Sequence, residues 1–142
     1  MTEENERKKE YLRRYRKAEK ELERLDVELR ELRRITALKP MSYDGMPHGS
    51  GGAGDLSDFA VKADRLRKKI IKAGYQRIKV FKEIRDRIEA LPDEKQKSVL
   101  IYRYIKGMGW EEIAVKMGYT YRNVTKIHGK ALENLRIDEK SS

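Results

Sequence analysis

The chain has no cysteine among its 142 residues, so disulfides and thiolate metal sites are excluded. Its two histidines, His48 and His128, are too far apart in sequence to form a metal-ligand motif. Apolar side chains are scarce, 38% against 41% charged. That is too little for a thick multilayer core and suits helices that each bury one narrow stripe. No apolar run approaches the ~20 residues of a membrane-spanning helix. The N-terminus alternates acid and base with no hydrophobic signal region. No segment assembles a nucleophile, a base and an orienting group. These absences point to a non-catalytic chain in a cytoplasm, with no membrane contact and no cofactor.

What the chain has is positive charge, 34 Lys+Arg against 24 Asp+Glu, a net +10 at neutral pH. An excess of this size favours a polyanionic partner. It is unevenly spread: residues 59–91 alone carry +7, whereas residues 40–58 hold three acids and no base.

The spacing predicts a long helix over residues 5–38, which hold neither Gly nor Pro. Tyr11, Tyr15, Ala18, Leu22, Leu25, Leu29 and Leu32 alternate by fours and threes, a heptad seam with a charged exterior. Residues 39–54 break the pattern with five glycines and two prolines. A loop is expected over about 40–55, with Asp55 or Ser57 capping the helix that follows. That second helix is expected over 57–90. Phe59, Ala63, Leu66, Ile70, Ala73, Val80, Ile84 and Ile88 keep much of the seam, interrupted by Arg77 and weakened at Gly74. The two helices can pair within one chain as an antiparallel hairpin or between chains as a coiled coil. Pro92 closes this part, giving expected domains of 1–91 and 92–142.

Residues 93–135 divide into three short helical stretches. The first runs from Asp93 to Lys106 and ends at Gly107. The second runs from Trp110 to Met117, with Ile113 and Ala114 inward and Gly118 as a left-handed stop. The third is capped by Thr120 and buries Val124, Ile127, Ala131 and Leu135. Small Ala114, turning Gly118 and anchoring Val124 have the spacing of a helix-turn-helix, which offers its last helix to a DNA major groove. The fold class is therefore all-α, an N-terminal long helical hairpin or coiled coil followed by a C-terminal helix-turn-helix domain. Tyr121, Arg122, Asn123, Thr125, Lys126 and Lys130 remain outward on the last helix. Arg and Asn can make paired bonds to guanine and adenine edges, and Lys and hydroxyl groups can hold phosphates. Lys62, Arg65, Lys69 and Lys72, at helical spacing, are candidate phosphate contacts or simply a solvated face.

The run Leu91-Pro92-Asp93-Glu94-Lys95-Gln96-Lys97-Ser98-Val99-Leu100, with Tyr102-Arg103-Tyr104, Gly107, Trp110-Glu111-Glu112-Ile113-Ala114, Gly118 and Asn123-Val124, resembles region four of bacterial sigma factors. The resemblance implies a reader of promoter −35 elements. It departs from the usual pattern at Gly109, where Ser or Thr is common, and at Gly129, where a longer residue is usual. No segment resembles the sigma regions that melt DNA, so a complete sigma factor is not expected. The whole chain is similar to short phage proteins of the ArpU/RinA type, which implies a late-gene transcriptional regulator. The stretch Tyr43–Gly49 resembles part of one such phage family.

The expected function is sequence-specific binding of double-stranded DNA at promoters. Bacterial RNA polymerase stands open as a second partner, and a homo-oligomer through the long helices stands open as well. Two alternatives remain. One is a DNA-recognition component of phage packaging, like a small terminase subunit. The other is a sigma-like polymerase adaptor with little direct DNA binding. The glycine-rich loop lacks the phosphate-loop pattern, yet its Tyr, Met and His are more than a linker requires. Asp44, Asp55 and Asp58 read as surface acids rather than metal ligands.

Overall fold

The computed structural model describes residues 2–38 and 49–137. It is all-α, with no strand among the described residues. The elements are α1 (Glu3–Leu38), α2 (Gly49–Glu89), α3 (Glu94–Leu100) continued by a π-helical turn (Ile101–Ile105), α4 (Trp110–Met117) and α5 (Tyr121–Asn134). The expected loop falls, over residues 39–48, outside the described residues. Over residues 49–56 the expectation needs correction, because α2 begins at Gly49. Asp55 and Ser57 therefore lie inside the helix and not at its start. Extending an existing helix forms one hydrogen bond per residue fixed, without the cost of nucleation. A glycine costs only about 1 kcal/mol against alanine there, which is a bias and not a barrier.

The chain forms two compact units. The first comprises Met1–Glu19 and Arg77–Ser142, the second Lys20–Gln76. The division does not fall at Pro92: the start of α1 and the end of α2 belong with the three C-terminal helices.

In the first unit α1 and α2 run antiparallel. Arg14 on α1 is ion-paired with Glu83 on α2, and the rings of Tyr15 and Phe81 lie 5.5 Å apart. Tyr11, Leu12, Val80, Ile84, Ile88 and Leu91 are buried against Leu100, Tyr104, Ala131, Leu132 and Leu135. The core joins four elements, so none of them buries its stripe alone. A second cluster of Val99, Ile113, Ala114 and Val124 binds α3, α4 and α5 together.

In the second unit α1 and α2 of the one chain lie side by side and line a common groove. Leu25, Leu29 and Ala63 are buried. Leu22, Leu32, Leu66, Ile70 and Ala73 are only half-buried. Two helices share one interface, so a wide apolar stripe stays partly wet. Pairs such as Arg34–Glu31 on α1 are exposed and are screened by water, so they contribute little.

Candidate nucleic-acid interface

The site is built around α5. Asp93 opens α3: its carboxylate accepts from the amides of Lys95 (2.8 Å) and Gln96 (3.4 Å), capping the helix. The π-helical turn closes on Gly107, whose φ of +74° suits glycine. There Arg103 donates to the Met108 carbonyl at 3.1 Å and lies 4.2 Å over the Trp110 ring. Gly109 begins α4 without a capping side chain. Glu112 takes part of that role, its carboxylate accepting from the Gly109 amide at 3.0 Å. This is how a glycine is tolerated where Ser or Thr is usual.

The turn between α4 and α5 is fixed by backbone geometry. Gly118 sits at φ +72°. Its amide donates to the Val115 carbonyl (3.3 Å), and that of Tyr119 to the Ala114 carbonyl (2.9 Å). These two bonds satisfy the last carbonyls of α4 and turn the chain sharply. Thr120 then caps α5, accepting from the Asn123 amide at 3.1 Å. The result is the helix-turn-helix the spacing predicted.

One side of α5 is sealed into the domain. Val124, Ala131 and Leu132 are fully buried. His128 is 3% exposed, bonded to the Tyr104 hydroxyl at 2.8 Å and edge-on to Trp110 at 4.6 Å. Burial, with Lys9, Arg103 and Arg13 nearby, pulls its pKa down to about 4, so the ring is neutral at ordinary pH. Burial likewise pushes the Tyr104 hydroxyl up to about 12. The far end of α5 is held from α1. Lys8, 6% exposed, donates to the Leu132 carbonyl at 2.7 Å and the Glu133 carbonyl at 3.4 Å. A cation there answers both the unpaired carbonyls and the negative end of the helix dipole. Asn134 adds a bond to Gln96 at 3.1 Å.

The opposite side of α5 carries the predicted residues. Arg122, Asn123, Lys126 and Lys130 are exposed, as is Tyr121 at 52%. At 100° per residue, Arg122, Asn123, Lys126 and Lys130 share one face, whereas Tyr121 lies on the line of His128 and Leu132 and is exposed as the first residue of the helix. Thr125 is half-buried, and its hydroxyl donates to the Arg122 carbonyl at 3.0 Å, which leaves only its oxygen to accept. Lys62, Arg65, Lys69 and Lys72 are not among these residues. They belong to the second unit, where they line a groove opposite glutamates of α1.

The sequence reading did not single out Lys8, Leu12 or the burial of His128. Lys8 stands three residues before Tyr11, so extending the α1 seam backwards would have marked it as inward-facing.

Residues 81–135 match the family described as Sigma-70, region 4. The match starts inside α2, at Phe81, in agreement with the packing of Ile84, Ile88 and Leu91. RNA polymerase sigma factor SigO of Bacillus subtilis is 47% identical over 49 residues, covering 34% of this chain and 27% of that protein. RNA polymerase sigma factor SigF of Mycobacterium tuberculosis is 32% identical over 95 residues, covering 67% of this chain and 35% of that protein. The chain thus spans about a third or less of the length of these curated relatives. No solved structure matches it. Residues 81–135 form a sigma region 4-like domain.

Proposed function

We propose that this chain binds double-stranded DNA with α5 in the major groove, and that it regulates transcription together with RNA polymerase. The observation that carries the reading is the sidedness of α5. One face is buried and anchored at both ends, and the other presents Arg122, Asn123, Lys126 and Lys130. Likeness to the two sigma factors supports the polymerase association. Arg122 and Asn123 read base edges, while Lys126, Lys130, Tyr121 and Thr125 meet phosphates or thymine methyl groups. The mechanism is binding, with no bond made or broken.

The exposed side of α4 supports a protein contact. Val115 is 83% exposed beside Met108, Glu111, Glu112 and Lys116. An exposed apolar residue with a charged rim suits a protein surface, and we assign it to polymerase. The resemblance of the whole chain to the ArpU/RinA type supports the finer reading, a phage late-gene regulator.

The test is selection of bound sequences from a random duplex pool by the full chain at two salt concentrations. A fragment starting at residue 92 is unsuitable, because it strips Leu12, Ile84 and Ile88 from the core. A motif that survives higher salt is expected. Arg122→Ala should then cost about 1–3 kcal/mol and relax the preference at one base pair. Lys130→Ala should weaken all sequences alike and lower the salt slope by ~0.9. Equal, uniform losses from both variants would remove Arg122 from base reading. Binding without a motif that vanishes with salt would favour the adaptor reading.

A further inference from the structure

The second unit holds a long groove between α1 and α2. Two adjoining hollows, of about 420 and 570 Å³, share Glu28 and Lys69 and so form one channel. Along α1 it runs from Glu21 to Ile35 and along α2 from Gln76 back to Lys62. At 1.5 Å per residue that is ~21 Å of helix. The floor is apolar, built by Leu25, Leu32, Leu66 and Ala73, with Ile35 still 44% exposed at one end. A two-helix layer cannot cover such a floor.

The walls differ in sign. α1 contributes Glu21, Glu28 and Glu31, with Arg24 ion-paired to Glu21, and α2 contributes Lys62, Arg65, Lys69 and Lys72. A groove with one acidic and one basic wall is its own complement. Turned about a two-fold axis, the acidic wall of one copy faces the basic wall of another, and both apolar floors become covered. An all-basic groove would repel its own copy, and an all-acidic one likewise.

We infer that this groove is a dimer interface, closed by the same groove of a second copy of the chain to give a four-helix layer. The pairing is isologous, so it stops at two. It assigns Lys62, Arg65, Lys69 and Lys72 to protein contact rather than to phosphate. It does not depend on whether the chain binds DNA.

Sedimentation equilibrium of the full chain, without DNA, tests this. A species of twice the 16.8 kDa chain mass is expected. Glu28→Lys and Lys69→Glu each turn two attractive pairs repulsive, so each alone should weaken dimerisation about tenfold or more. Mixed in equal amounts, the two variants should form a heterodimer with near wild-type affinity. In the mixture each altered residue meets its new opposite on the other chain, which restoration within one chain cannot imitate. A variant that had merely unfolded would not recover on mixing. A monomer at ~100 µM, a ring-sized oligomer, or a dimer indifferent to both reversals would overturn the inference. So would a Lys69→Glu that dimerises like the wild type and is weakened only in DNA binding.

Discussion

Lowering the pH should loosen α5 through a single buried ring. His128 titrates near 4 in the folded chain, because burial disfavours its charged form and Lys9, Arg103 and Arg13 add repulsion. The ordinary value, which the unfolded chain adopts, is 6.5. Below about pH 6.5 protons therefore bind the unfolded state first, and stability falls until the folded ring is also protonated, near pH 4. The separation of the two values amounts to about 3 kcal/mol at saturation. Between pH 7 and pH 5 the linkage relation gives a loss of about 2 kcal/mol. Glu10 and Glu31, held below the usual carboxylate range by hydrogen bonds from Arg13 and Arg34, titrate beneath this window. Urea unfolding followed by circular dichroism, at pH 7 and pH 5, measures the loss. His128→Gln can keep a bond to Tyr104 but cannot titrate, so it should lose much less over the same interval. Equal losses in the two proteins would refute the assignment to His128.

Lys8→Met keeps most of the side chain's volume but leaves the Leu132 and Glu133 carbonyls without their donor. It should cost about 1–3 kcal/mol in urea unfolding, and a change under about 0.5 kcal/mol would mean water replaces the ammonium without loss. Gly118→Ala forces a side chain into left-handed backbone at φ +72° and should cost about 1–2 kcal/mol. An unchanged melting temperature would mean the turn adapts. Gly74→Ala meets nothing within 4 Å and should stabilise α2 by about 1 kcal/mol; a loss instead would show a neighbour at that position.

Local signals made the helix-turn-helix legible in the sequence. Gly107, Gly118 and Thr120 act within their own turns, and each performs the expected task. The seam from Tyr11 to Leu32 was equally readable, since heptad spacing needs no knowledge of the partner. The partner was the hidden part. Nothing in a periodic stripe tells whether it meets its own chain, and nothing around Lys8 announces a carbonyl 124 residues away. His128 was ambiguous because its position on α5 gives its direction, but only Tyr104 and Trp110 give its surroundings. The start of α2 was misread because glycine density argues against nucleating a helix more strongly than against extending one.

The bond from Lys8 to the end of α5 also constrains the order of events during synthesis. The first turns of α1 leave the ribosome before any of their partners exist. Leu12 and Tyr11 must wait, wet and unpaired, until Leu132 and Leu135 have been made. A domain whose opening segment completes its closing one cannot fold from front to back. Closing so long a span of chain is slow compared with forming any one of its helices. Until residues 131–135 have been made, the core around Leu12 is incomplete and α5 lacks its far anchor. A chain ended before α5 would leave Tyr11 and Leu12 covered only on the side of α2.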